Sequence, residues 1–259
     1  MRNKICTIAF LGLALGGFYS CSEDSMPPEG ERLTQAELNT ILSIDEIAGI
    51  ADDAIADLYN GNTAKSPVAK DNECYSAEYL ESGFVATFNN CVLNGTDDIN
   101  GTVTVSYATG EGSATFTATY EDFYVGTTQI NGTRTYALAS GSDENTGSFT
   151  VTSDMSVVFE DGRTISESGS KTLTIGYNET DQVLTMGISG EWTVETDEHT
   201  YAVKTIEDLE WNSSCAYLTK GSMLVSKSGL EVTVDFGDGS CDDKATLIYP
   251  NGATEVLTL

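Results

Sequence analysis

Asn100-Gly101-Thr102-Val103-Thr104-Val105 is a phrase that the chain repeats. It returns as Asn131-Gly132-Thr133-Arg134-Thr135-Tyr136, Asp161-Gly162-Arg163-Thr164-Ile165-Ser166 and Ser189-Gly190-Glu191-Trp192-Thr193-Val194. Two more copies are Lys220-Gly221-Ser222-Met223-Leu224-Val225 and Asn251-Gly252-Ala253-Thr254-Glu255-Val256. A small or polar residue precedes each glycine, and alternating polar and β-prone residues follow. Successive glycines stand 31, 30, 28, 31 and 31 residues apart. A repeat of that length marks an array built from one supersecondary unit, and here the unit reads as two strands.

Working outward, residues 84–90 read as a first strand, and 102–107, 114–120, 149–152 and 172–175 alternate in period two. Glycine, serine and acid-rich segments at 109–113, 140–147 and 177–181 separate them as turns. Asp161-Gly162 and Asn251-Gly252 fit two-residue hairpin turns. Gly101, Gly132 and Gly190 fit either turns or kinks inside long strands. About 12 strands result, and so many antiparallel strands in one sheet curl, close or split. The expected fold is mainly β, an antiparallel meander forming a curved sheet, half-barrel or flattened barrel. A two-sheet sandwich is the alternative.

One stretch is helical. Leu38, Ile41, Leu42, Ile47, Ile50, Ala51, Ala54, Ile55 and Leu58 follow three-four spacing. Thr34 with Glu37, and Ser43 with Glu46, have the form of capping boxes. Two short helices, 34–42 and 44–60, are therefore expected, with Gly61 as the stop. Their apolar stripe covers a face or an edge of the sheet. Asp45, Glu46, Asp52, Asp53 and Asp57 read as the solvated side.

The chain has 259 residues, with 12 Lys and Arg against 40 Asp and Glu, a net charge of −28. Such a field repels nucleic acid and favours solubility and divalent cations. Residues 1–20 read as an export signal: Arg2 and Lys4 open it and an apolar run follows. That run is short for a membrane span, which takes about 20 apolar residues. It ends in Phe18-Tyr19-Ser20-Cys21, which resembles a bacterial lipobox. In proteins of that kind the cysteine is acylated, here Cys21. Residues 21–32, with Ser22-Glu23-Asp24 and Pro27-Pro28, read as an acidic tether. Residues 33–61 form the helical segment, and 62–259 the β domain that joins it in one globular unit.

Cys6 lies in the leader. Four cysteines remain after Cys21: Cys74, Cys91, Cys215 and Cys241. An even number in an exported chain points to disulfides, and four allow three pairings. The local pairs Cys74–Cys91 and Cys215–Cys241 are the expected ones. Zinc is disfavoured, since no C-x-x-C pair occurs and His199 is the single histidine.

The most distinctive stretch is Asp235-Phe236-Gly237-Asp238-Gly239-Ser240-Cys241-Asp242-Asp243. An Asn251-Gly252 turn and a terminal strand ending in Leu259 follow. With Cys215, the lipobox and the Gly-Thr-rich strands, this resembles a family of uncharacterised Bacteroidetes-type surface lipoproteins. The resemblance implies a lipid-anchored position in the outer membrane, facing the cell surface. It brings no activity with it. Asp235, Asp238, Asp242 and Asp243 could gather oxygens around Ca²⁺, although their order is not that of an EF-hand. The competing reading is an acidic turn with aspartates bonding their own backbone.

No catalytic signature is present: no G-x-S-x-G around a serine, no Walker A, dinucleotide or metalloprotease pattern. Tyr120, Phe123, Tyr124, Trp192 and Trp211 are expected to pack in the core rather than form a sugar platform. The expected function is a non-catalytic surface lipoprotein whose β domain meets an envelope protein or a glycan. One alternative is a polysaccharide-acting enzyme with a carboxylate pair flanked by Trp192 or Trp211. The other is a structural outer-membrane component.

Overall fold

The computed structural model describes residues 25–61, 70–71, 74–92, 98–110, 113–139, 146–178 and 182–259. A 3₁₀ turn, Glu29–Glu31, leads into one helix, α1, Gln35–Gly61. The strands follow: β1 Lys70–Asp71, β2 Tyr75–Leu80, β3 Gly83–Cys91, β4 Ile99–Gly110 and β5 Ser113–Val125. Next come β6 Thr128–Ala139, β7 Thr146–Val158, β8 Thr164–Asn178, β9 Val183–Thr196 and β10 Thr200–Asn212. The shorter β11 Lys220–Lys227, β12 Leu230–Asp238, β13 Lys244–Ile248 and β14 Thr254–Thr258 close the order. Each strand pairs antiparallel with the next, in a single 14-stranded sheet ordered β1 to β14. The expected meander is thus present. Among the described residues β14 does not return to β1, so the sheet stays open and neither a closed barrel nor a sandwich forms.

The repeat is a hairpin repeat. Gly101, Gly132, Gly190 and Gly221 lie inside β4, β6, β9 and β11, all at positive φ. At Gly101 (φ 101°) a Cβ would sit 1.9 Å from the carbonyl oxygen of Asp122 on β5. The ladder slips there, between Asn100 and Thr102. Only a residue without a side chain lets the two backbones cross so closely, and the bulge bends the sheet. Gly162 and Gly252 instead sit in loops. Those loops are three residues long rather than the expected two: Phe159 pairs with Arg163, and Tyr249 with Ala253. Asp161 and Asn251 keep ordinary negative φ while the glycine alone turns left-handed, which is a type I turn with a bulge.

The helical segment is one helix of 27 residues, not a pair. Thr34 and Glu37 make the expected capping box, through Thr34 N–H to Glu37 Oε2 at 2.8 Å and Glu37 N–H to Thr34 Oγ1 at 3.3 Å. Ser43 starts nothing: its hydroxyl donates back to the Thr40 carbonyl, and Ile44 continues the buried face of Leu38 and Ile41. Leu38, Ile41, Ile44, Ala48, Ala51 and Ala54 are all buried, which covers more than half of the helix circumference. The sheet therefore curls around α1. Inward rows of side chains meet it, one running Phe84, Val105, Ala118 on β3–β5 and onward to Trp192, Val203, Val225 on β9–β11. The outward face carries hydroxyls instead, with Thr117 against Thr135 at 2.9 Å and Thr152 against Ser170 at 2.8 Å.

The sheet has two ends. The turns after β5, β7, β9, β11 and β13 lie at one, here the lower end. Those after β2, β10 and β12 lie at the upper end, as do the last residues of β4, β6 and β8. The last residues of the expected tether belong to the domain. Met26 packs against the core, and the Ser25 carbonyl accepts from Asn251 Nδ2 at 2.7 Å in the lower turn between β13 and β14.

Both disulfides are the local ones, Cys74–Cys91 and Cys215–Cys241, with Cα–Cα separations of 5.1 and 5.6 Å. The second joins the β10–β11 connection to the β12–β13 connection at the upper end. It closes a loop with a sequence separation of 26, so replacing both partners by serine is expected to cost about 3–4 kcal/mol through the freed unfolded chain. A urea titration of Cys215→Ser/Cys241→Ser against the native chain reads this directly.

Candidate functional site

Glu37, Asp45 and Asp52 are eight and seven residues apart on α1, about two helical turns each. They share the flank of the helix that meets the sheet, and each finds a cation there. Lys227 of β11 places Nζ 2.7 Å from Glu37 Oε1. Lys171 of β8 places Nζ 2.6 Å from Asp45 Oδ1. Arg134 of β6 places Nη1 2.6 Å from Asp52 Oδ2. Two turns of helix rise about 10.8 Å, and two strand spacings cover about 9.6 Å. A helix laid across the strands thus brings Asp45 and Asp52 onto β8 and β6. The sequence reading placed Asp45 and Asp52 on the solvated side; they are instead ion-pair partners of buried bases.

Each rung carries further polar groups. Asp52 accepts hydrogen bonds from the Tyr120 hydroxyl at 3.2 Å and from the Tyr136 hydroxyl. Burial penalises the Arg134 guanidinium, but Asp52, joined by Tyr136, Tyr120 and Asp45, outweighs this and raises its pKa. Lys171 also meets Glu167 of its own strand at 2.5 Å, and its Nζ stands 4.5 Å over the Trp192 ring. Glu37 accepts from the Tyr201 hydroxyl at 2.8 Å. Burial opposes its ionisation, yet the Lys227 contact and the Thr34 and Tyr201 donors outweigh it and hold the carboxyl below its ordinary value. That contribution is present above the usual carboxylate range and is lost as pH falls through the lowered pKa.

The tyrosines act at the other end of the pH scale. Burial, followed for Tyr120 by the Asp52 charge and for Tyr201 by its bond to Glu37, pushes both phenols up. Tyr136 is pushed up by burial, then by Tyr120 and Asp52, and Tyr249 is pushed up to about 12. An unfolded tyrosine ionises near pH 10. A folded phenol that keeps its proton above that pH contributes stability that is full below about pH 10 and declines as pH rises further. The unfolding midpoint is expected to hold steady up to about pH 9.5 and to fall above it. Absorbance at the phenolate band should show part of the 12 tyrosines ionising only as the fold is lost.

Buried ion pairs of this kind fix where a helix sits more than they add net stability. Every carboxylate in them is matched to a base, Glu37, Asp45 and Asp52 from the flank of the helix and Glu167 from β8, so none is placed as an open acid–base pair facing a cleft. Trp192 is 4% exposed and belongs to this interior. Trp211 is half-buried near the upper end of β10. Tyr120 and Phe123 are buried as well.

The aspartates of the C-terminal stretch stay in their own turns. Asp235 Oδ1 accepts from Gly237 N–H at 2.8 Å, Asp238 Oδ1 from the Ser240 hydroxyl at 3.0 Å, and Asp242 Oδ1 from Lys244 N–H at 3.1 Å. Among the described residues no three His, Cys, Asp or Glu side chains converge as a metal cage, these four included. His199 lies in the β9–β10 turn with Nε2 3.8 Å from Glu37, its ring against Tyr201 and its backbone bonded to the Thr196 hydroxyl. Cys21 lies outside the described residues. No described helix is long and apolar enough to cross a membrane, which says nothing of strands.

The concave face continues past α1. On β6 to β10 the inward positions toward the upper end are Leu138, Phe149, Ile175, Tyr177, Leu184 and Trp211. They share the parity of Arg134, Lys171 and Trp192, but among the described residues no rung or helix covers them, and Leu138, Tyr177 and Leu184 are 61%, 49% and 41% exposed. The opposite, hydroxyl-rich face has a shallow depression of about 480 Å³ around Ala202, bordered by the exposed Lys204–Glu191 pair. The sequence signal for the apolar strip is the run Leu173-Thr-Ile175-Gly-Tyr177, whose alternation stays apolar to the end of the strand. The signal for the rungs is the spacing of Glu37, Asp45 and Asp52. Comparison with family models, with curated proteins and with solved structures finds no match for the chain.

Proposed function

We propose that the chain is a lipid-anchored surface protein of a bacterial outer membrane that works by presenting its β domain to another envelope component, without catalysis. The observation that supports this reading is the polarity of the domain. Ser25, four residues after Cys21, is fastened at the lower end of the sheet, by Asn251. The uncovered apolar strip lies toward the upper end. An acyl anchor on Cys21 would hold the lower turns toward the membrane and turn the strip away from it. Lipid chains on one cysteine suit such anchoring, since a single acyl chain alone binds only marginally. An envelope protein suits the strip better than a glycan, because three of its exposed members, Leu138, Ile175 and Leu184, are aliphatic and offer no ring for a sugar to stack on.

The test is metabolic labelling with an alkyne fatty acid followed by membrane fractionation. The native chain is expected to take the label and sediment with outer membranes. Cys21→Ser is expected to lose the label and appear in the soluble fraction. An unlabelled native chain would sink the anchoring. Surface exposure is read on the same cells by protease shaving before lysis.

A further inference from the structure

We propose that the apolar strip on the upper half of the concave face is the seat of an amphipathic helix from another envelope protein, apolar on one side and basic along its edges. This deepens the function proposed above and rests on it. The strip runs from Leu138 on β6 to Trp211 on β10, four strand spacings or about 19 Å. A helix of about 13 residues has that length, and one of about 16 spans it with a short overhang. From Leu173 to Tyr177 it is about 13 Å wide, which suits one helix with its side chains.

The fold already seats one helix in this manner. α1 crosses the same strands one level lower, and helices pack side by side at 8–10 Å. A second helix on the strip would lie alongside it, reading the groove by anchors at three-four spacing. The strip is open along its length, whereas a small-molecule site encloses most of its ligand. Charge selects the partner. The described upper end of the sheet carries Glu81, Glu207, Asp208, Asp238, Asp242 and Asp243 against Lys220 and Lys244. A second copy of the chain would bring another net −28 to the contact, which self-repulsion opposes. A basic-edged helix meets the same field as attraction.

The experiment uses the full chain carrying Cys21→Ser and two 16-residue helical peptides, one of leucine and lysine, the other of leucine and glutamate. Trp211 reports binding through its emission, and Trp192, buried, stays constant. The leucine–lysine peptide is expected to give a saturable blue shift. Leu184→Asp is expected to weaken it about tenfold or more, as loss of a central apolar anchor does. Leu138→Glu, at a still more exposed position, is expected to act likewise with an unchanged thermal midpoint. Both variants add negative charge. Bulk attraction between an acidic protein and a basic peptide would therefore tighten in them, and unchanged or tighter binding overturns the proposal. Equal binding of the glutamate peptide overturns it too, as does sedimentation showing a dimer that Leu184→Asp dissolves. Anchoring at Cys21 is read independently, so either proposal can fail with the other standing.

Discussion

Asp52→Ala is expected to destabilise the domain by about 3–5 kcal/mol, the cost of stranding a buried charge. The charge is Arg134, whose side chain is 5% exposed beneath α1. Its Nε already has no hydrogen-bond partner among the described residues, so Nη1 and its contact to Asp52 carry the compensation. The same substitution strips an acceptor from the Tyr120 and Tyr136 hydroxyls. The pair itself is replaceable. Asp52→Leu with Arg134→Met removes both charges in matched volume and is expected to recover most of the loss, because well-packed apolar residues often equal a buried ion pair. Asp161→Ala breaks an ion pair of the same 2.6 Å length with Arg163, but an exposed one, and is expected to leave the midpoint unmoved. Urea titrations of the four proteins decide it. If Asp52→Ala behaves like Asp161→Ala, the rungs do not hold the helix.

The contrast between those two pairs shows what the sequence carries and what it leaves out. The fold class is legible because period-two alternation and a spaced glycine are local signals. Gly101, Gly132, Gly190 and Gly221 mark the repeating two-strand unit without any knowledge of what each strand meets, although their spacing leaves open whether they are turns or, as the structure has them, kinks inside strands. The two disulfides are legible because local pairing closes short loops between neighbouring strands. The single long helix is less so: Ser43 and Glu46 form a plausible cap, and only the burial of Ile44 against the sheet keeps the helix running. The rungs are hardest. Asp45 and Asp52 become half-buried ion-pair partners only because Lys171 and Arg134 lie two strands apart on the face beneath, and that juxtaposition depends on contacts 126 and 82 residues apart in the chain. A carboxylate spacing of seven or eight on an otherwise apolar flank is the trace left in the sequence. The strip was hidden for a similar reason. Ile175 reads as strand from its alternation and Tyr177 as the start of a turn, whereas β8 runs on through Asn178, and both are exposed because α1 crosses the sheet below them.

Gly101→Ala is expected to cost far more than Gly162→Ala, although both glycines open the same repeated phrase. At Gly162 the φ of 86° is left-handed, and nothing lies within 4 Å of the position a Cβ would take. Its replacement carries the dihedral strain alone, on the order of 1–3 kcal/mol. At Gly101 the φ of 101° carries similar strain, and the new methyl would also lie 1.9 Å from the Asp122 carbonyl oxygen and 2.8 Å from the Phe123 Cα. Those atoms are backbone of the neighbouring strand and cannot rotate away. β5 would have to move off β4 at the bulge where Asp122 itself sits at φ 47°, with Phe123, fully buried, directly behind it. The expected result is a soluble, cooperatively unfolding Gly162→Ala with a modestly lowered midpoint, and a Gly101→Ala that fails to reach the native baseline at any urea concentration. Gly132→Ala, with Asp154 oxygen at 2.2 Å, is expected to follow Gly101. Equal losses at Gly101 and Gly162 would mean that the glycines serve only as turn formers, and that the curvature which wraps the sheet around α1 comes from elsewhere.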